Sequence, residues 1–153
     1  MNTFFKAALG IAFIFFSTVN ASAQMKKASP VFNHAALYVK DLKTTTDFYR
    51  NMLGLEQTDE PFKDGKHSWF SLGSGKLHLI ADETAAPESV NKNTHLCLSV
   101  PSLPDVIERL KKNGVKYGDW GGKPGQITTR VDGVLQIFLQ DPDGHWLEIN
   151  NEK

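Results

Sequence analysis

The chain has 153 residues, 17 basic and 17 acidic side chains, and one cysteine. That charge balance leaves no basic footprint for nucleic acid or an anionic membrane, and a lone Cys97 excludes an intrachain disulfide. The length suits one compact domain, or two small modules sharing a core.

At the N-terminus, Lys6 precedes an apolar run from Ala7 to Phe16, and the small residues Ala21, Ser22 and Ala23 follow. This is the three-part pattern of a secretory signal peptide, with cleavage expected after Ala23. The apolar run is shorter than the roughly 20 residues of a membrane span, and no cysteine near the cleavage site offers a lipid anchor. The mature protein is therefore expected to be periplasmic or secreted, with no membrane attachment. Removing residues 1–23 leaves 130 residues with 16 basic and 17 acidic side chains, a formal charge of −1. With no disulfide, stability outside the cell must come from the core, a partner subunit or a metal.

Residues 24–30 read as a polar leader, and module one follows over 31–82. In NHAALYV (33–39), His34, Ala36 and Tyr38 share one face of a strand, and Ala35, Leu37 and Val39 the other. Asp41 is placed to cap a helix whose apolar positions are Leu42, Thr45, Tyr49, Met52 and Leu53, with Gly54 as its left-handed stop. Strands are expected over Lys66–Leu72 and Lys76–Ala81, joined by a hairpin at Gly73 and Gly75. The polar stretch 83–93 reads as a linker. Module two, 94–151, repeats the pattern. THLCLSV (94–100) puts His95, Cys97 and Ser99 on one face. Ser102 and Asp105 form a capping pair, Leu103, Val106, Ile107 and Leu110 form an apolar stripe, and Gly114 ends the helix. Strands Val134–Leu139 and His145–Asn150 are expected to flank a DPDG turn.

Aligning His34 with His95 matches Leu37 with Leu98, Val39 with Val100 and Leu42 with Leu103; with one deletion, Gly54 matches Gly114. The chain is thus a two-fold repeat of one strand, one helix and about three strands. In KLHLI, Leu77 and Leu79 face the core while His78 faces away. In HWLEIN, Leu147 and Ile149 face the core while Glu148 faces away. Each module therefore places metal-competent side chains at the same two positions: His34 and His78 in one, His95 and Glu148 in the other. Three imidazoles and a carboxylate on a shared concave face suit one divalent metal, Zn²⁺, Ni²⁺, Co²⁺, Mn²⁺ or Fe²⁺, and leave positions open for water or substrate oxygen. Tyr38, Trp69, Cys97, Phe138 and Trp146 are candidates to line a substrate pocket. His145, after the turn, is expected to be solvated, and His67 to line the pocket only. The Gly-rich GDWGGKPG (118–125) reads as a mobile lid. It is no phosphate loop, because Lys123 is followed by Pro124 and no strand-to-helix context surrounds it.

NHAALYVKDLKTTTDFYRNMLGLE and DPDGHWLEIN together resemble the vicinal oxygen chelate superfamily, which includes glyoxalase I, fosfomycin and bleomycin resistance proteins, methylmalonyl-CoA epimerase and extradiol dioxygenases. The resemblance spans nearly all of residues 31–151. It implies an α+β fold in which two βαβββ modules form a cup-shaped mixed sheet around a metal. It also implies a homodimer in many short members, in which case the site would combine His34 and His78 of one chain with His95 and Glu148 of another. Phe138 stands where extradiol dioxygenases carry a tyrosine, and Thr129, Arg130 and Val131 where they carry a histidine, which argues against ring cleavage. Tyr38 and Asp82 replace the arginine and asparagine that bacterial glyoxalase I uses on its glutathione adduct, and glutathione is mainly cytoplasmic. Fosfomycin thiol transferases use three protein ligands, so His78 is one too many, and bleomycin-type binders lack the metal set.

What the resemblance then implies is a glyoxalase-type lyase or isomerase acting on a small oxygenated substrate. Glu148 would be a ligand and the base that moves a proton beside a carbonyl, with a metal-bound water as the other candidate base. The alternatives are a non-catalytic protein that binds a small molecule or a metal in the same cup, and a metal-free structural use of the fold.

Overall fold

A computed structural model describes residues 29–84 and 91–153, and Val31–Lys153 form one compact unit. The expected signal peptide, most of the expected leader and the middle of the expected linker lie outside the described residues. Among the described residues, no helix is long and apolar enough to cross a membrane.

Module one runs β1 (His34–Val39), α1 (Leu42–Asn51), β2 (Gln57–Thr58), β3 (His67–Leu72) and β4 (Gly75–Ala81). Module two runs β5 (His95–Ser99), α2 (Leu103–Lys112), β6 (Thr128–Thr129), β7 (Leu135–Gln140) and β8 (Trp146–Asn150). Each is a βαβββ unit, and the two form separate four-stranded sheets ordered β1-β4-β3-β2 and β5-β8-β7-β6. The crossover strands pair in parallel, β1 with β4 and β5 with β8, because a helix intervenes; the hairpin pairs are antiparallel. The two-residue strands β2 and β6 carry too little alternation to be legible in the sequence.

The caps work as the sequence indicates. Asp41 accepts from the Thr44 amide at 3.0 Å and Ser102 Oγ from the Asp105 amide at 3.3 Å. Gly54 and Gly114 take φ of 75° and 68°, the left-handed values that end each helix without a Cβ penalty. Under the helices, Val39, Phe70, Leu77 and Leu79 of sheet one and Ile137, Leu147 and Ile149 of sheet two are wholly buried in one continuous core. The alternation that buries these side chains turns their neighbours, the candidate site residues, to the opposite face.

The DPDG turn does more than reverse the chain. Asp141 Oδ1 accepts from the amides of Asp143 and His145, while its Oδ2 accepts from the Tyr49 hydroxyl at 3.0 Å. Asp143 accepts from the Lys40 amide at 2.7 Å and the Thr45 hydroxyl at 2.5 Å. His145 is not simply solvated: its Nε2 lies 2.8 Å from the Tyr38 carbonyl. The turn thereby clasps module two to the β1–α1 corner of module one, assisted by Arg109 Nε donating to the Met52 carbonyl. Burial holds the Asp141 carboxyl above its ordinary pKa, partly offset by His145, and burial followed by the nearby Asp141 raises the Tyr49 phenol well above its own. Tyr49→Phe removes a buried hydrogen bond to a carboxylate and is expected to cost about 1.5–3 kcal/mol. An unshifted urea midpoint would show that the clasp draws nothing from this hydroxyl.

Candidate metal centre

On module one, the face opposite the core carries His34 and Tyr38 of β1, His67 and Trp69 of β3 and His78 of β4, as the strand registers require. His34 and Tyr38 are exposed and His78 is buried. The His78 ring stacks on Trp69 at 3.8 Å between centroids, and His34 meets it edge-on at 6.0 Å. His67 does more than line a pocket. Its Nδ1 lies 2.8 Å from His78 Nε2, and its own Nε2 is 3.4 Å from an Asp64 carboxylate oxygen. Burial, then the neighbouring His67 and His34, lower the His78 pKa, so the imidazole favours the neutral form that a metal requires.

On module two, the corresponding face carries His95 and Cys97 of β5, Phe138 of β7, and Trp146, Glu148 and Asn150 of β8. His95 Nε2 is 3.3 Å from Glu148 Oε2. The other ring nitrogen, Nδ1, is 2.8 Å from the Lys92 carbonyl, which can only accept, so Nδ1 is the donor and Nε2 is the nitrogen that a metal in the site would use. Partial burial, and then Glu148, push the Cys97 thiol up to about 12, so in the metal-free protein it stays a neutral thiol. Asn150, absent from the residues the sequence singles out, is 1% exposed and donates to Glu148 Oε1 at 3.0 Å.

The four candidate ligands are thus brought together as two pairs, one per sheet. Among the described residues, no group of three or more His, Cys, Asp or Glu side chains is arranged to hold a metal ion. The physical reason is the topology: β1 and β5 are edge strands of separate sheets, and the clasp joins the modules at the turn and the helix ends. The donor chemistry, neutral imidazoles with one carboxylate, suits a borderline divalent metal. Among the described residues, the buried Trp69 indole nitrogen, beside the module-one pair, has no hydrogen-bond partner, and neither has the Gln136 side-chain oxygen on β7. Such orphaned atoms are what a polar occupant of these faces would satisfy.

A cavity of about 470 Å³ is lined in part by Lys92, Tyr117, Phe138 and Trp146; it reaches the module-two pair through Phe138, which His95 meets edge-on at 5.7 Å, and neither His95 nor Glu148 lines it. The Lys92 ammonium stands 4.9 Å from the Trp146 ring centroid and 5.4 Å from that of Phe138, and it donates to the Trp120 carbonyl. The Gly-rich segment forms a wall of this cavity rather than a free lid. Gly118 exchanges two backbone hydrogen bonds with Phe138 of β7, at 2.8 and 2.9 Å. A Cβ on Gly118 would meet the Lys123 carbonyl oxygen at 2.7 Å, so the close return of the loop needs glycine there.

The family model described as Glyoxalase/Bleomycin resistance protein/Dioxygenase superfamily matches residues 31–149, and the chain belongs to that superfamily. It is 26% identical to a lactoylglutathione lyase of Pseudomonas putida, over 86% of this chain and 90% of the relative. Among solved structures it is similar to a glyoxalase-family protein of Bacillus anthracis, with a TM-score of 0.66 at 21% identity, covering 84% of this chain and all of the other. It is also similar to a fosfomycin resistance protein of Listeria monocytogenes, with a TM-score of 0.61 at 22% identity, covering 82% of this chain and 93% of the other. At these identities the structural likenesses establish the fold alone.

Proposed function

We propose that the protein is an exported, metal-dependent lyase or isomerase of glyoxalase type, acting on a small oxygenated substrate in a site completed between two copies of the chain. The observation that carries this reading is the division of a complete ligand set into two pairs on separate sheets. His34 and His78 of one copy then face His95 and Glu148 of a second, as a two-fold dimer with two identical sites allows. The similarity to a lactoylglutathione lyase supports a lyase, while Tyr38 and Asp82, at positions where that chemistry holds glutathione, support a different substrate.

A divalent metal in this site would supply Lewis-acid polarisation of the substrate oxygens. The protein's own groups do the rest. Lys92 holds His95 in the tautomer that presents Nε2. Trp69 covers one face of the His78 ring, and a metal taken up through His78 Nε2 would replace the bond to His67. Glu148 has Oε1 tied to Asn150, so Oε2 would be the oxygen offered to a metal and, when released from it, the oxygen able to take a proton from the carbon beside the carbonyl and return it to the neighbouring carbon. The cavity at Phe138 and Trp146 receives the remainder of the substrate.

The test is exchange of a substrate α-proton with D₂O across a panel of α-hydroxy carbonyl compounds, with and without added metal. Metal-dependent exchange is expected. Its absence across the panel would favour the second reading, a non-catalytic small-molecule or metal binder, for which the cavity at Phe138 and Trp146 would suffice. Export is part of the same proposal. N-terminal sequencing of the protein from the periplasmic or culture fraction should begin at Gln24, and a retained Met1 would overturn it.

A further inference from the structure

Module two braces its candidate base through a residue that no part of the repeat predicts. Asn150 lies two positions beyond Glu148 on β8, where module one has Ile80, two beyond His78 on β4. The two modules solve the same problem from different strands. In module one the register partner of Ile80 is His67 of β3, and His67 contacts His78. In module two the β7 partner of Asn150 is Gln136, and the contact to Glu148 comes from Asn150 itself.

The orientation of the Asn150 amide follows from its neighbours. Oδ1 accepts from the Ser99 hydroxyl at 2.9 Å and from the Glu152 amide at 3.2 Å; a backbone N–H can only donate, so the carbonyl end must face it. Nδ2 therefore faces Glu148 Oε1 at 3.0 Å and Cys97 Sγ at 3.2 Å. Each polar atom of this buried side chain is engaged by two partners, and its residue is 1% exposed, so the amide has no cheap alternative rotamer. The carboxylate it holds is consequently fixed by one oxygen, with the other turned to His95 Nε2.

We infer that Asn150 is a positioning residue that locks Glu148 by Oε1 so that Oε2 alone is presented to the metal and the substrate. This rests on the metal-dependent reading above and adds to it how the carboxylate ligates: through one oxygen, in a single rotamer, with Ser99 and the chain end as supports. Ligands braced in this way lose affinity when the brace is removed, because the free metal-binding side chain must then be ordered at the moment of binding.

The experiment uses the full mature chain in its native oligomer. Zinc affinity is read by competition with a chromophoric chelator, cobalt(II) coordination by its visible absorption, and folding by thermal unfolding of metal-free protein. Asn150→Leu, which matches the apolar Ile80 of module one, is expected to weaken zinc binding roughly 10- to 100-fold and to change the cobalt(II) bands. Zinc affinity and cobalt(II) bands unchanged in folded Asn150→Leu, with only the thermal midpoint lowered, would make Asn150 a merely structural residue and overturn the assignment. Should that variant not fold, Asn150→Asp keeps both acceptor contacts and replaces the amide donor by a carboxylate that repels Glu148. Altered cobalt(II) bands then support the role, and unaltered bands overturn it. Wild-type protein that binds neither metal would sink the reading of the site and this assignment with it, whereas binding by wild type and variant alike sinks the assignment only.

Discussion

Glu148→Gln is expected to lower metal-dependent α-proton exchange by about 10²- to 10⁴-fold, the range for removing a positioned general base, while part of the bound metal is retained. The amide has a single oxygen: turned to the site it can still ligate but sets its NH2 against the Asn150 amide donor, so only part of the metal is kept, and it cannot accept a proton at neutral pH. The effect should fall on turnover more than on substrate affinity, since the proton transfer is made only in the transition state. Equal exchange rates in wild type and variant would remove Glu148 from the chemistry and leave the base to be found elsewhere. Its surroundings favour the role: Glu148 is 8% exposed, tied at one oxygen, and paired at the other with an imidazole whose own second nitrogen is committed.

Mixing two inactive chains should restore activity. A chain carrying His34→Ala and His78→Ala loses the module-one pair, and a chain carrying His95→Ala and Glu148→Ala loses the module-two pair. If each site combines one pair from each copy, the mixed dimer contains one site in which every ligand is native and one in which none is. After random reassortment of equal amounts, about one quarter of wild-type activity is expected, because about half the dimers are mixed and each has one good site of two. Zinc retained per chain should follow the same fraction. A mixture as inactive as its components, with exchange of subunits demonstrated by differently tagged chains, would mean that the modules meet within one chain. The separation of the two pairs on different sheets is the structural ground for expecting restoration.

The module pattern was legible because it is local. His34, Ala36 and Tyr38 alternate with Ala35, Leu37 and Val39, and strand geometry turns one set to the core whatever else the chain does. The same applies to His78 between Leu77 and Leu79, and to Glu148 between Leu147 and Ile149, whose aliphatic neighbours are all wholly buried. Caps at Asp41 and Ser102 and stops at Gly54 and Gly114 depend on a few consecutive residues, and they hold. The Gly-rich segment misled for the complementary reason: its composition permits mobility, but the hydrogen bonds that pin it belong to Phe138, twenty residues along the chain. His145 is a turn residue by sequence and a clasp by structure, because its partner is a backbone carbonyl in the other module.

By itself the sequence determined two βαβββ modules, the faces on which His34, His78, His95 and Glu148 lie, and the family in which that pattern occurs. Periodicity, capping and turn chemistry act over a few residues, so they survive without knowledge of the rest of the fold. Only the tertiary structure decided that His67 contacts His78, that Asn150 donates to Glu148, that the DPDG turn joins the modules, and that one chain presents the candidate ligands as two pairs. Those outcomes depend on strand registers and on contacts spanning up to 107 positions, set by the packing of whole sheets and helices.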